Sequence, residues 1–346
     1  MKFSAKLTKK PYFWRFIKIP VNELYPLKFK PVFDDRIWGG DKIKTRLGLD
    51  FTPLTHCAEA WVLSGYEGKQ TVVSNGFLAD NEINELIEVY MDDLIGGKVF
   101  DTTGETFPLL IKFIDSHDWL SIQVHPDDEL AQKRGMPNGK TEMWYVLDAD
   151  EQAQLIAGFN RKISQKQYLD HLQKKTLPEI LNYEKVHAGD VFFMPAGRIH
   201  SLGPGVLLAE IQQTSDATYR IYDWDRKDAS GKERALHTEQ ALAAIDFNLY
   251  PTYRTDYVFR PDETVELVNS SYFTTNLLEL AQPLRKNYEE LDSFVVYICL
   301  EGNMMIKCGE HKTGVRKGEV VLIPAIFDAV EIYPDRSVKF LEVFIE

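Results

Sequence analysis

Short apolar runs separated by turn residues make up most of the chain from Pro26 onward. Seven runs have the length and the β-branched and aromatic content of strands: VVSNG, PLLIKFI, WLSIQVH, EMWYVL, AQLIAGF, DVFFMP and VLLAEIQQ. Turn-forming pairs lie near them, at Asn75-Gly76, Asn138-Gly139 and Pro204-Gly205. This density of short strands predicts a β-sandwich or a β-barrel.

Two stretches depart from the strand pattern and predict helices. Between about residues 80 and 95, apolar side chains at positions 83, 86, 87 and 90 recur with the spacing of an amphipathic helix. Residues 164–182 open with a capping box, in which Ser164 is the N-cap and Gln167 reaches back to it. We therefore expect short helical insertions in a mainly β framework.

The strand pattern resumes after Phe247, beginning with a run at Tyr257–Pro261, and it contains an internal repeat. Val186–Gly197 aligns with Val315–Ile326 through a shared skeleton of Val-x-x-Gly-acid, four apolar residues and Pro-Ala. The repeat predicts two copies of one β unit, which we place at residues 26–250 and 255–346. Residues 1–25 are basic and aromatic, and we expect a solvated leader or an added strand there.

Composition and charge narrow the possible function classes. The chain has 346 residues and a formal net charge of -12, which argues against a general nucleic-acid binder because phosphate contacts require clustered Lys and Arg. No apolar run reaches the roughly 18 residues expected of a membrane-spanning helix. The three cysteines form no CxxC pair, so we expect a reducing, cytoplasmic setting. A small anionic substrate needs only a few basic groups and stays compatible with this charge.

Polar side chains interrupt two of the predicted strands. Gln123 and His125 lie two positions apart, so their side chains point to the same face of a strand. Glu142 begins the apolar run EMWYVL, where a buried carboxylate requires a partner. A metal ion is the simplest partner for a carboxylate in such a position.

A third polar residue, His200, ends the spacing Gly189-x5-Pro195-x-Gly197-x2-His200. This spacing resembles the second motif of the cupin family, although Pro204 stands where Asn is usual, and it implies a barrel with a metal-binding mouth. The second copy of the repeat has Ala329 at the place of His200. We therefore expect two cupin-type β-barrels, or jelly rolls, of which only the first keeps metal ligands.

The combined donor set suits one divalent metal ion. Two imidazoles, one carboxylate and one amide oxygen are ligands that zinc or another borderline divalent ion accepts. A single anionic ligand leaves the site with net positive charge, so the metal stays a useful Lewis acid. We expect one Zn2+ per chain, bound by Gln123, His125, Glu142 and His200.

Longer segments around these residues resemble the type I mannose-6-phosphate isomerase family in its short bacterial form. The resemblance runs from about Pro26 to the end, and its most specific parts are Ser121–Asp127, Gly139–Tyr145 and Gln212–Trp224. It implies that the four residues named above bind zinc. It also implies an active-site role for five further positions, Lys112, Ser121, Lys140, Glu210 and Arg220.

The reaction implied by this resemblance moves a proton between C1 and C2 of a sugar phosphate through a cis-enediol(ate). Glu210 is the candidate base, with a histidine or a metal-linked water as alternatives. Arg220 stays protonated, so it can donate to the enediolate or to the phosphate. Lys140 is a second catalytic candidate. Lys112, Ser121 and Lys140 are candidates for phosphate and hydroxyl contacts, because the sequence has no glycine-rich phosphate loop.

Two other function classes stay open at this point. One is another metal-dependent cupin enzyme acting on a small anionic substrate, such as an iron dioxygenase. The other is a non-catalytic sugar-binding barrel. Gln123 and the basic residues favour a sugar phosphate, and we expect a monomer or a homodimer that binds neither nucleic acid nor membrane.

Two further residues have an interpretation from the sequence. Trp38 either covers a sugar site or is a structural aromatic, and His237 is interpreted as a surface residue.

Overall fold

The computed structural model describes residues 24–227 and 231–346, so residues 1–23 of the predicted leader lie outside the described part. Six α-helices lie in the described residues: α1 Lys42–Leu47, α2 Ile83–Ile95, α3 Gly97–Thr103, α4 Asp128–Lys133, α5 Gln165–Gln173 and α6 Thr238–Ala244. Within the same residues, no helix has the length and apolar character needed to cross a bilayer. The three cysteines are buried and unpaired.

Strands account for most of the regular structure, which confirms the mainly β prediction. In chain order they are β1 Leu27–Lys30, β2 Val32–Asp34, β3 Glu59–Ser64, β4 Val72–Val73, β5 Leu109–Ser116, β6 Ile122–Val124, β7 Glu142–Ala149, β8 Gln154–Phe159, β9 Leu181–Lys185, β10 Val191–Met194, β11 His200–Leu202, β12 Val206–Gln213, β13 Tyr219–Tyr222, β14 Val265–Asn269, β15 Thr274–Leu280, β16 Leu284–Asn287, β17 Val295–Cys308, β18 His311–Arg316, β19 Val320–Ile323 and β20 Ala329–Phe344.

Two antiparallel sheets form the first β unit. The six-stranded sheet has the order β10-β7-β12-β5-β3-β2, and the five-stranded sheet has the order β13-β6-β11-β8-β9. They pack through one apolar cluster, to which Trp144 and Leu208 contribute from the first sheet and Leu155 and Leu202 from the second. Glu142 and His200 lie two positions from Trp144 and Leu202 on the same strands, so their side chains share the faces that meet between the sheets.

The second β unit is built on one nine-stranded sheet. Its long strands β17 and β20 pair along most of their lengths and surround a separate apolar cluster that includes Tyr297, Ile306 and Phe340. The early strands β1 and β4 extend this same sheet, because β1 pairs with β19. No sheet of the described strands closes on itself, so the expected barrels take an open form.

The helices agree with the sequence in position and differ in length. The helix α2 lies within the predicted span 80–95, and Ser164 and Gln167 form the predicted capping box at the start of α5. However, α5 ends at Gln173, and only a short 3-10 helix at Leu177–Ile180 follows. Lys175 adopts a φ of 56°, a left-handed conformation that a right-handed helix cannot continue. The single helix predicted over 164–182 is therefore wrong.

The repeat seen in the sequence has a conformational counterpart. Gly189 has a φ of 92° and Gly318 has a φ of 81°, and each precedes by two residues a strand of four apolar positions, β10 or β19. A side chain at either position would be strained, which explains why both copies have glycine. The strand predicted at Tyr257–Pro261 is absent, and Tyr257 instead donates a hydrogen bond to the Gly189 carbonyl.

Candidate metal centre

The structure brings three of the predicted metal ligands together between the two sheets of the first unit. His200 in β11 is the register partner of Gln123 in β6, and His125 follows directly after β6. Glu142 begins β7 in the opposite sheet. One potential ligand atom from each of His125, Glu142 and His200 lies within 4.8 Å of the other two, and all three residues are buried.

Backbone carbonyl groups set the tautomers of both histidines. Nδ1 of His125 lies 2.7 Å from the Ala217 carbonyl oxygen, and Nδ1 of His200 lies 2.9 Å from the Arg198 carbonyl oxygen. A carbonyl only accepts, so each Nδ1 carries the proton and each Nε2 keeps its lone pair. Burial lowers the pKa of both rings, which keeps them neutral at physiological pH.

The environment of Glu142 shows that a cation fits this position. Its carboxylate lies 3.4 Å from Nε2 of His125 and 3.6 Å from Nε2 of His200, and its Oε2 has no hydrogen-bond donor. Burial acts to raise the pKa of Glu142, but the charge and the hydrogen bond of Lys140 act against it, and this pKa lies below its ordinary value. Lone pairs and a buried carboxylate thus converge on one point, which suits a divalent metal.

Gln123 completes this donor set from the neighbouring strand. Its Nε2 lies 3.2 Å from Nε2 of His200 and can donate to the lone pair there. A half-turn of the amide exchanges nitrogen and oxygen and would present Oε1 in the same direction. The fourth predicted ligand is therefore within reach of the same point.

A cleft of about 300 Å³ opens beside these residues. Its lining includes seven residues singled out in the sequence, Lys112, Ser121, Gln123, Lys140, His200, Glu210 and Arg220. A larger groove of about 940 Å³ lies elsewhere and is lined by none of the candidate metal ligands. The smaller cleft therefore combines a polar lining with the convergent donors.

Lys112 forms ion pairs with two carboxylates within the cleft. Its Nζ is 3.3 Å from Glu210 and 3.6 Å from Glu59, and it lies over the Trp61 ring. Burial acts to lower the pKa of Lys112, but the two carboxylates outweigh this effect and raise it above the ordinary value. Glu210 also accepts a hydrogen bond of 2.9 Å from Nε1 of Trp144. Lys112 thus holds the buried carboxylate of Glu210 and the partly buried carboxylate of Glu59 side by side.

Lys140 contacts the metal centre directly. Its Nζ lies 2.6 Å from Oε1 of Glu142 and 3.5 Å from Nε2 of His125, and the side chain is almost fully buried. The ammonium group therefore provides positive charge at the donor cluster. A lysine in this position also has access to the cleft, which it helps to line.

Arg220 lies on the opposite flank of Gln123 from His200. It is the register partner of Gln123 in β13, and its Nη1 donates to the Ala235 carbonyl oxygen at 3.0 Å. Its backbone N–H donates to Nδ1 of His237, so His237 supports the arginine and is more than the surface residue expected from the sequence. Nε of Arg220 is buried without a hydrogen-bond partner.

The cleft also contains residues that the sequence did not single out as site residues. Arg36, Glu59, Asp216, Thr218 and Arg234 line it. Trp38 lines it as well and is buried, which supports the interpretation as a residue of the site over an exposed structural aromatic. The signal that could have indicated Glu59 is its place at the start of an apolar strand, the same signal that indicated Glu142.

Comparison with known families agrees with this geometry. A family model for the type I phosphomannose isomerase catalytic domain matches residues 26–172, and one for the mannose-6-phosphate isomerase cupin domain matches residues 263–336. The mannose-6-phosphate isomerase ManA of Bacillus subtilis is 34% identical over 305 residues, which cover 86% of this chain and 93% of the relative. The mannose-6-phosphate isomerase of Streptococcus mutans is 33% identical over 303 residues, with 86% and 92% covered.

Solved structures show the same architecture. The crystal structure of the Bacillus subtilis mannose 6-phosphate isomerase matches with a TM-score of 0.83 at 29% identity, covering 93% of this chain and 99% of that chain. A mannose 6-phosphate isomerase bound with zinc and yttrium matches with a TM-score of 0.73 at 16% identity, covering 93% of this chain and 99% of that chain. At that identity the second match speaks for the fold alone.

Proposed function

Because this chain belongs to the type I mannose-6-phosphate isomerase family and is thus an aldose–ketose isomerase, we propose that it interconverts mannose 6-phosphate and fructose 6-phosphate with one zinc ion per chain. The observation that carries the zinc proposal is the meeting of two imidazole nitrogens that keep their lone pairs with the buried carboxylate of Glu142, whose Oε2 has no hydrogen-bond donor. His125, His200, Glu142 and Gln123 would hold the ion. Bound there, zinc supplies a Lewis acid that stabilises negative charge on substrate oxygens.

We assign proton transfer between C1 and C2 to Glu210. One of its oxygens accepts from Trp144, whereas Oε1 has no hydrogen-bond donor and faces Lys112 at 3.3 Å. This Oε1 is available to take the substrate proton and return it to the adjacent carbon, which forms and collapses a cis-enediol. Among the described residues that line the cleft, the one histidine is His200, whose Nε2 belongs to the donor set. A carboxylate base is therefore favoured over a histidine.

Two further side chains would orient the sugar. Ser121 is buried beside Gln123, and its hydroxyl can bind a sugar hydroxyl. Lys140 can donate to a substrate oxygen close to Glu142, where negative charge develops during the reaction.

We place the reaction in the cytoplasm, because three unpaired buried cysteines fit a reducing compartment.

Arg220 is proposed to donate to the developing enediolate from its place beside Gln123. The variant Arg220→Ala should keep its bound metal and lose about 100- to 1000-fold in kcat, since it removes one charged donor from the transition state. Metal content after dialysis and the initial rate of fructose 6-phosphate formation measure the two quantities. Arg161→Ala, which changes an exposed arginine, is the matched control. Full turnover in Arg220→Ala would show that the assigned role is wrong.

The proposed reaction is tested by mixing zinc-loaded protein with mannose 6-phosphate and coupling fructose 6-phosphate formation to a reporter enzyme. In deuterated water, an enediol path predicts solvent deuterium on the product carbon that receives the proton. Oxygen consumption is followed in parallel, because an iron dioxygenase would consume it. No turnover with zinc bound would reject the isomerase assignment.

A further inference from the structure

The lysines of the cleft are already neutralised by buried carboxylates. Lys112, 3% exposed, lies between Glu59 and Glu210, and Lys140, 4% exposed, lies 2.6 Å from Glu142. Their charge is already balanced by these carboxylates, so the two ammonium groups offer little net positive charge to a phosphate dianion. The phosphate of a sugar phosphate therefore requires positive charge elsewhere in the cleft.

Arginines supply that charge at the other flank of the cleft. Arg36 lies in the loop after β2, and Arg234 lies in the loop between β13 and α6, so two separate loops bring them to the same lining as Arg220. The side chains of Arg36 and Arg234 are 46% and 33% exposed, so an anion that enters from solvent can reach them. This flank is the accessible, cationic end of the cleft.

The acids around these arginines are fewer than the cations. Asp223 accepts from Arg226 at 2.6 Å and from Nε of Arg234 at 2.7 Å. Asp34 pairs with both Arg36 and Lys69. Each of these aspartates is thus shared between two cations, although Arg226 also pairs with Asp118. Among the charged residues that line the cleft, cations outnumber acids: Arg36, Lys112, Lys140, Arg220 and Arg234 against Glu59, Glu210 and Asp216.

Arg220 adds to this excess. In the described part of the chain it has no ion pair with a carboxylate. Burial lowers its pKa, and the charges of Arg234, Arg226 and Arg36 act in the same direction, whereas Asp223 opposes them. Mutual repulsion of this kind among arginines is relieved by an anion. Within the described residues, moreover, neither Arg36 nor Arg234 uses its Nη1 in a hydrogen bond. Both guanidinium groups thus keep donors for phosphate oxygens.

We propose that Arg36 and Arg234 bind the phosphate group of the substrate and set the preference for a phosphorylated sugar. This assignment rests on the proposed isomerase function and adds two residues to it. A phosphate at this flank would leave the other end of the sugar free to approach the donor cluster at Gln123 and His200. Arg36 and Arg234 then act in binding, and the chemical step belongs to other residues.

The test compares Arg36→Gln and Arg234→Gln with the wild type on mannose 6-phosphate. Each variant should raise KM about 10- to 100-fold, change kcat by less than about threefold, and keep the wild-type metal content. The inhibition constant of inorganic phosphate should rise in parallel. The preference for mannose 6-phosphate over mannose, as a ratio of kcat/KM, should fall by the same factor as KM rises.

The controls distinguish a failure of the arginine assignment from a failure of the isomerase function. Arg260→Gln changes an exposed arginine that pairs with Glu263 outside this cleft, and it should leave all constants unchanged. Arg234→Lys keeps the charge beside Asp223 and should recover part of the lost affinity if the loop stays folded. A wild type without turnover would reject the isomerase function itself. An active wild type whose variants keep KM and phosphate inhibition unchanged, or lose kcat alone, would overturn the arginine assignment.

Discussion

Replacing Glu142 by glutamine is expected to remove the bound metal and at least about 99.9% of the isomerase turnover together. The amide has the same shape but no charge, and it points N–H groups or a weaker oxygen at the two Nε2 lone pairs of His125 and His200. The site then loses its one anionic ligand. Metal content after dialysis and the coupled rate of fructose 6-phosphate formation measure the result. His125→Ala should give the same joint loss.

The control for Glu142→Gln and His125→Ala is Glu290→Gln, which removes an exposed carboxylate in the second β unit. It should change neither the metal content nor the coupled rate. Thermal unfolding shows whether Glu142→Gln remains folded. A folded Glu142→Gln protein that keeps one equivalent of metal, or that turns over at more than about a tenth of the wild-type rate, would contradict the assignment of Glu142 as a ligand.

The second large effect is expected on stability. Lys112→Met keeps an unbranched side chain that is one atom shorter, but it leaves Glu59 and Glu210 facing each other without a cation. Removing one partner of a buried ion pair costs about 3 kcal/mol, because the remaining charge is not solvated. The free energy of unfolding at pH 8, measured with urea, should therefore fall by about that amount.

The pH dependence of this loss follows from the sign of the pKa shifts. In the wild type, burial acts to raise the pKa of Glu59, but Lys112 outweighs it and holds this pKa below its ordinary value. Without Lys112 the folded-state pKa rises above the unfolded value, so stability is present at low pH and lost as the pH increases. The deficit of Lys112→Met should thus be smaller at pH 4 than at pH 8.

Two further variants test this explanation. The double variant Lys112→Met/Glu59→Gln removes one of the facing charges and should recover part of the lost stability at pH 8. Lys69→Met changes a partly exposed lysine that pairs with Asp34, and it should cost less than about 1 kcal/mol. If Lys112→Met lost less than about 1 kcal/mol, or lost the same amount at both pH values, the buried pairing would not have the importance assigned to it.

Local patterns in the sequence were sufficient where the physics is local. The shared face of Gln123 and His125 follows from strand geometry, and the capping box at Ser164 follows from two side chains three residues apart. The difference between His200 and Ala329 follows from the repeat. Each of these features depends on spacing along the chain, which the sequence displays directly.

Features that depend on pairing between distant segments could not be predicted from local patterns in the sequence. Lys112 looked like a free phosphate ligand because its neighbours Glu210 and Trp61 come from strands β12 and β3, whose register with β5 cannot be deduced from composition. Arg36 and Arg234 lie in loops, where no periodicity indicates which way a side chain points. Helix α5 ends just before Lys175, which has a left-handed backbone conformation. Because this residue is a lysine and not a glycine, its sequence position does not indicate the end of the helix.

The central claim is that one metal ion binds between the two sheets of the first unit and supports the isomerase reaction. The most direct measurement is an anomalous difference map at the zinc edge, from crystals of zinc-reconstituted protein whose activity has been verified. The predicted result is one strong peak about 2.0–2.2 Å from Nε2 of His125 and of His200, with oxygens of Glu142 and Gln123 at a similar distance. Fully active crystals with no peak at this position, or with the metal held by other residues, would contradict it.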